Sequence, residues 1–163
     1  MPESHYKVRV TKDYLVFSSG HFITFDGDTC ERIHGHNYRV AVEVDGPLDA
    51  NHYVVDFIAF RDMTRAIVDE LDHRMLLPAD SPLIKGAVEG SNAVARFRDR
   101  FWSFPAEECV ILPVANTTAE LLARYIAGRL LDGMKARGWA DPAAVRVEVE
   151  ECFGQSAEVE LIP

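Results

Sequence analysis

Apolar and polar positions alternate in separate stretches at the two ends of the chain. Tyr6, Val8 and Val10 alternate with Lys7, Arg9 and Thr11, the period of a half-buried strand. Lys12 and Asp13 interrupt this run as a turn or bulge. Tyr14 to Phe25 is extended again, up to a loop carrying Asp26, Gly27 and Asp28. Tyr38, Val40, Val42 and Val44 alternate with Arg39, Ala41 and Glu43 and stop at Asp45-Gly46-Pro47. Near the C-terminus Val145, Val147 and Val149 alternate with Arg146, Glu148 and Glu150. Ala157, Val159 and Leu161 then alternate with Glu158 and Glu160.

Between these strands the period becomes helical. Phe60, Met63, Ile67 and Leu71 fall on one stripe, with Arg61, Asp62, Arg65 and Asp69 off it. Asp56 is a suitable N-cap for that helix. A second helix begins near Thr117, where Thr117 and Glu120 have capping-box spacing. Leu122, Tyr125, Ile126, Leu130 and Met134 build its apolar face, and Gly138 is its stop. Residues 87–113 are longer than a simple connector. Phe97 and Phe101, then Val110 and Leu112, predict a small hairpin there. Strands, helix, hairpin, helix and strands in that order give an α+β domain. With no internal repeat or linker, residues 1–163 read as a single domain.

Composition narrows the function classes. The 48% hydrophobic and 26% charged content is that of a globular chain. A net charge of −9 lacks the electrostatic footprint of a nucleic-acid binder. No apolar run reaches the ~20 residues of a membrane span, and Met1 to Val10 lacks the apolar core of a signal peptide. The 3 cysteines, Cys30, Cys109 and Cys152, form no CxxC pair. A disulfide framework is therefore not expected, and a cytoplasmic location is.

Candidate chemistry centres on His34-Gly35-His36. Residues two apart on a strand share a face, so both imidazoles can reach one ion. His21, on its own extended run, is a third ligand candidate. Three neutral imidazoles with one open position make a catalytic zinc site; the competing reading is ordinary polar or core histidines. Cys30, four residues before His34, is open between a reactive thiol, a fourth zinc ligand and a small buried residue. Asp72 and His73 can act together if the helix end bends, and otherwise form a solvated helix terminus. Glu151 continues the inward face of Val145, Val147 and Val149. An inward carboxylate needs a partner, such as paired N–H donors of a ligand, unless the strand has already left the core.

These residues resemble a known family. His21, Cys30-x-x-x-His34-Gly35-His36-Asn37-Tyr38, Asp56-Phe57, Leu71-Asp72-His73, Thr118-Ala119-Glu120 and Glu151 occur in the order seen in 6-pyruvoyltetrahydropterin synthases. The Cys30–His34 spacing is most similar to the bacterial 6-carboxytetrahydropterin synthase branch, which serves queuosine biosynthesis. The resemblance implies the tunnelling fold: a four-stranded antiparallel sheet with two helices on one face, assembled as a homo-hexamer of two trimers. It implies 7,8-dihydroneopterin triphosphate as substrate and Zn2+ held by His21, His34 and His36. Cys30, with Asp72 and His73, would transfer protons. Glu151, Thr118 and Glu120 would contact the pterin. Glu31 stands where another branch uses a glutamate in place of the cysteine and cleaves the side chain to 6-hydroxymethyl-dihydropterin. Here Glu31 is expected to point elsewhere, with Cys30 as the main proton carrier. The runner-up is an enzyme that makes 6-pyruvoyltetrahydropterin or 6-hydroxymethyl-dihydropterin from the same substrate, and a pterin- or zinc-binding oligomer without turnover is the alternative of a different class.

Overall fold

Val40, Val42, Val44, Val145, Val147 and Val149 are all buried, as the two alternating runs require, and they meet in the middle of one sheet. The computed structural model describes residues 4–163, so positions 1–3 of the expected domain lie outside the described residues. Along the chain run β1 (Tyr6–Val10), β2 (Val16–His21), β3 (Thr24–Phe25), β4 (Thr29–Cys30), β5 (His34–Gly46) and α1 (Phe57–Leu71). Then come β6 (Arg74–Pro78), β7 (Lys85–Glu89), β8 (Asn92–Phe97), β9 (Arg100–Pro105), a 3₁₀ turn at Ala106–Glu108 and β10 (Cys109–Leu112). The chain closes with α2 (Ala119–Ala136), β11 (Ala144–Cys152) and β12 (Gln155–Leu161).

β1 and β2 are two halves of one strand. Both pair antiparallel with β5, β1 against its C-terminal end and β2 against its N-terminal end. The interruption read at Lys12 and Asp13 is a turn in which Leu15 N–H donates to Lys12 O at 3.0 Å. With β11 beside β5 and β12 beside β11, these segments form the expected four-stranded antiparallel frame. Two further strands extend it. β6 pairs in parallel with β2, and β10 in parallel with β6.

Both helices pack on the valine face, in one cluster that includes Phe60, Ile67, Leu71, Leu122, Ile126, Leu130 and Met134. Asp56 caps α1 as expected, its side chain accepting from Ile58 N–H and Ala59 N–H. The cap of α2 is Thr118, one residue later than the spacing suggested. Its hydroxyl accepts from Leu121 N–H, so the box between Thr117 and Glu120 does not form. Gly138 takes φ +70 just beyond the helix, the left-handed conformation that ends it. Among the described residues no helix is long and apolar enough to cross a membrane.

The hairpin expected in 87–113 is a three-stranded meander, β7-β8-β9, while Val110 and Leu112 belong to β10 in the main sheet. Ala93, Ala95 and Phe97 of the meander join Phe22, Leu77 and Ile84 in a second core, with Trp102 and Cys30 packed against it. The meander therefore leans on the segment between β2 and β5, which borders the site.

Candidate metal centre

Strand register gathers the three histidines. His21 is the Cα partner of His34, and Ser19 that of His36. Parity turns residues 34, 36 and 38 of β5 to the helix-covered face. One nitrogen from each of His21, His34 and His36 lies within 4.8 Å of the others. Gly35 makes this approach possible: a Cβ there would stand 2.9 Å from the backbone oxygen of Ser19. Gly35→Ala must therefore push β2 away from β5. It is expected to cost about 1–3 kcal/mol in denaturant unfolding and to weaken metal uptake. Unchanged stability and metal content would show that the spacing is not tight.

Backbone carbonyls set the imidazole tautomers. His21 Nδ1 is 2.8 Å from Thr117 O, and His34 Nδ1 is 2.9 Å from Arg32 O. A carbonyl only accepts, so each Nδ1 carries the proton and donates it, leaving the Nε2 lone pair free. His21 Nε2 and His36 Nε2 are buried without a hydrogen-bond partner among the described residues. Burial also lowers the pKa of His21, which keeps it neutral, as a ligand must be. The His21 Nε2, buried, unpaired and neutral, fits a metal ion, and with His34 and His36 beside it the three imidazoles leave one open position, which suits zinc.

Acidic groups face this triad. Glu151 Oε1 lies 3.2 Å from His36 Nε2, so the inward parity read for residue 151 is real. Glu31 does not point elsewhere. Its Oε1 is 3.5 Å from His34 Nε2, and its Oε2 is buried without a partner among the described residues. Tyr38 closes the group from below, its ring centroid 5.4 Å from that of His36 and 5.7 Å from that of His21. Burial, and then the charges of Glu151 and Glu31, push its phenol pKa up, so it stays protonated. Sequence reasoning treated Tyr38 as core; its shared parity with His34 and His36 was the available signal.

The other expected residues are arranged differently. Cys30 packs against the Phe22 and Trp102 cluster, with Sγ 3.6 Å from Glu31 O. Burial pushes its thiol up, against the opposing pull of Arg100. Asp72 and His73 do meet, at 2.8 Å. Asp72 is extended and His73 has φ +55, and this is the bend that lets neighbouring side chains touch. Partial burial pushes the Asp72 carboxyl up, but hydrogen bonds from Ser18 N–H and His73 hold it below the usual carboxylate range. The His73 side chain is 82% exposed and is not part of the histidine cluster in this chain. Thr118 is half-buried and Glu120 exposed at the start of α2. Thr117, just before them, is fully buried, with its hydroxyl unpaired among the described residues. Asn116 ties this helix start to Thr24 by accepting from Thr24 N–H and donating to Thr24 O.

Three convergent imidazoles with acid–base groups around them form a donor set that could hold a metal ion, on an α+β scaffold. Residues 9–161 match the 6-pyruvoyl tetrahydropterin synthase family, and the chain belongs to it. A protein of Methanocaldococcus jannaschii, named provisionally as a 6-carboxy-5,6,7,8-tetrahydropterin synthase, is 34% identical over 88% of both chains. A similarly named protein of Pyrococcus horikoshii is 32% identical over 83% of this chain and 85% of its own. The crystal structure of 6-pyruvoyl tetrahydropterin synthase from Plasmodium vivax superposes with a TM-score of 0.87 at 28% identity, covering 99% of this chain and 100% of that one. Another solved form of that parasite enzyme has alanine in place of a glutamate described as a catalytic residue. The chain is thus a tetrahydropterin synthase of this family with the tunnelling fold.

Proposed function

We propose that the chain converts 7,8-dihydroneopterin triphosphate to 6-carboxy-5,6,7,8-tetrahydropterin, releasing triphosphate and acetaldehyde, with zinc at His21, His34 and His36. The observation that carries the reading is the triad itself, with the His21 Nε2 buried and unpartnered among the described residues and a carboxylate beside each of the other two imidazoles. The names of the archaeal relatives support the product. A zinc ion held there supplies a Lewis acid that polarises the side-chain hydroxyls of the substrate.

The protein groups divide the remaining work. Glu151 accepts paired N–H bonds from the amidine-like edge of the pterin, which is a charge-assisted contact. Free N–H groups at the start of α2, beside Thr118 and Glu120, add pterin contacts. Glu31 is the base beside the triad and takes the proton from the substrate side chain. Cys30, packed against the second core under the meander, supports the loop that carries Glu31. Tyr38 and Thr117 offer hydroxyls to the buried end of the site. Asp72 holds His73 in one tautomer. The exposure of His73 suits a homo-hexamer in which this imidazole serves a neighbouring chain.

Glu31 also favours a second reading, in which the same substrate is cleaved to 6-hydroxymethyl-dihydropterin. The glutamate described as catalytic in the Plasmodium vivax relative supports it. Incubation of the zinc-loaded protein with 7,8-dihydroneopterin triphosphate, followed by product mass, separates the two. A 6-carboxytetrahydropterin product with acetaldehyde is expected. The 6-hydroxymethyl product alone transfers the assignment to the second reading, and no conversion removes both.

A further inference from the structure

Glu31 lies in residues 31–33, which belong to neither helix nor strand. Nothing in its local sequence fixes the direction of its side chain. Its backbone is nevertheless held on both sides. The Glu31 N–H donates to Ile23 O at 3.0 Å. Its carbonyl accepts from Arg100 Nη2 at 3.0 Å, while Arg100 Nη1 donates to the carbonyl of Cys30 at 2.8 Å. One guanidinium thus forks across two consecutive carbonyls.

Arg100 is itself held. Its guanidinium lies 4.7 Å from the centroid of the Trp102 ring, and Trp102 stacks on Phe22 at 4.3 Å. Phe22 is fully buried and directly follows His21. The meander therefore grips the segment between β2 and β5 at both ends: next to a metal-ligand candidate through Trp102 and Phe22, and at the acid–base residue through Arg100. Arg98 adds an ion pair to Asp28 in the same segment. A planar fork with five donors suits two carbonyls in one plane, whereas an ammonium is a point charge that cannot reproduce it.

We infer that Arg100 is a positioning residue for Glu31. By clamping the carbonyls of Cys30 and Glu31 to the meander, it holds the Glu31 carboxylate against the histidine triad. The inference rests on the role proposed above for Glu31. It adds that the meander is part of the catalytic apparatus although it supplies no reacting group. With both Nη atoms engaged by main-chain oxygens, Arg100 acts on the loop and not on the substrate.

The test is a double-mutant cycle with a second readout on the metal-free protein. Arg100→Met should keep the far-ultraviolet circular dichroism and zinc content of the parent. It should lower kcat roughly tenfold to a hundredfold, the range for misplacing a catalytic group by about an ångström, with little change in KM. In a Glu31→Gln background the same substitution should add no further loss, because the group it positions is gone. Arg100→Lys should recover only part of kcat. Alkylation of Cys30 in the apoprotein is followed by peptide mass across pH to its thiolate-limited plateau, with Cys109 as internal reference. It should be several-fold faster at that plateau in Arg100→Met, where loss of the guanidinium charge no longer changes the thiolate fraction. If Arg100→Met fails to fold, Arg100→Lys carries the same cycle. A full additional loss in the Glu31→Gln background, or unchanged kcat together with unchanged Cys30 alkylation, overturns the inference. If Glu31→Gln alone leaves kcat intact, the role given to Glu31 falls instead. The alkylation rate then still reports whether Arg100 holds the loop.

Discussion

Glu31→Gln will lose at least about a hundredfold in turnover while keeping its zinc, and Cys30→Ala will stay within a few-fold of the parent. General acid–base catalysis by one positioned group is worth ~10²–10⁴ in rate, and the amide cannot accept the proton. The ranking follows from orientation. Glu31 reaches to 3.5 Å from His34 Nε2, while the Cys30 thiol is packed among Phe22 and Trp102 and raised by burial. A thiol so placed holds less thiolate at neutral pH than a free one. The measurement is steady-state turnover of 7,8-dihydroneopterin triphosphate with zinc assayed in each preparation. If Cys30→Ala is the dead variant and Glu31→Gln the active one, the proton passes through sulfur and the Glu31 assignment is withdrawn.

His34→Ala should leave far less than one zinc per purified chain and no turnover. Zinc prefers a nearly complete shell, and loss of one of three imidazoles leaves too few donors. His34 is the most informative of the three to remove. Its side chain is 40% exposed, so truncation creates little cavity and the fold should persist. His21 is 1% exposed, and its removal mixes ligand loss with a buried void. A strong chelator should strip the parent to the same inactive state, and added zinc should restore the parent but not the variant. Zinc retained at one per chain in His34→Ala would exclude the triad as the metal site.

The long alternating strands were legible because one face of the frame is buried and the other is not. β6 was hidden for the opposite reason. Leu76 enters the main core and its neighbour Leu77 the second core, so both faces are apolar and the period of two vanishes. Box spacing to Glu120 favoured Thr117 over its neighbour Thr118 as the cap of α2. Tertiary contact decided between them, since the Thr117 carbonyl is engaged by His21. Within the site, His21, His34, His36 and Glu151 were readable because parity and register act over a few residues. Glu31 was not. Its direction depends on a loop held by Arg100, which lies 69 positions further along the chain, and no local pattern carries that information.

The parallel pairing of β10 with β6 has a consequence for how this protein can vary. Parallel neighbours cannot be joined by a tight turn; the chain must travel back to the starting end of the strand. The usual vehicle for that return is a helix, and here it is the β7-β8-β9 meander. The meander is therefore not an ornament that can be trimmed to a short loop. Without it β10 loses its route into the sheet, and the stretch after Leu112 that brings the Thr117 carbonyl to His21 loses its anchor. Lineages should vary the meander and β10 together as one inherited block while keeping the start of α2, and chimaeras between long and short relatives should tolerate junctions only outside residues 79–117.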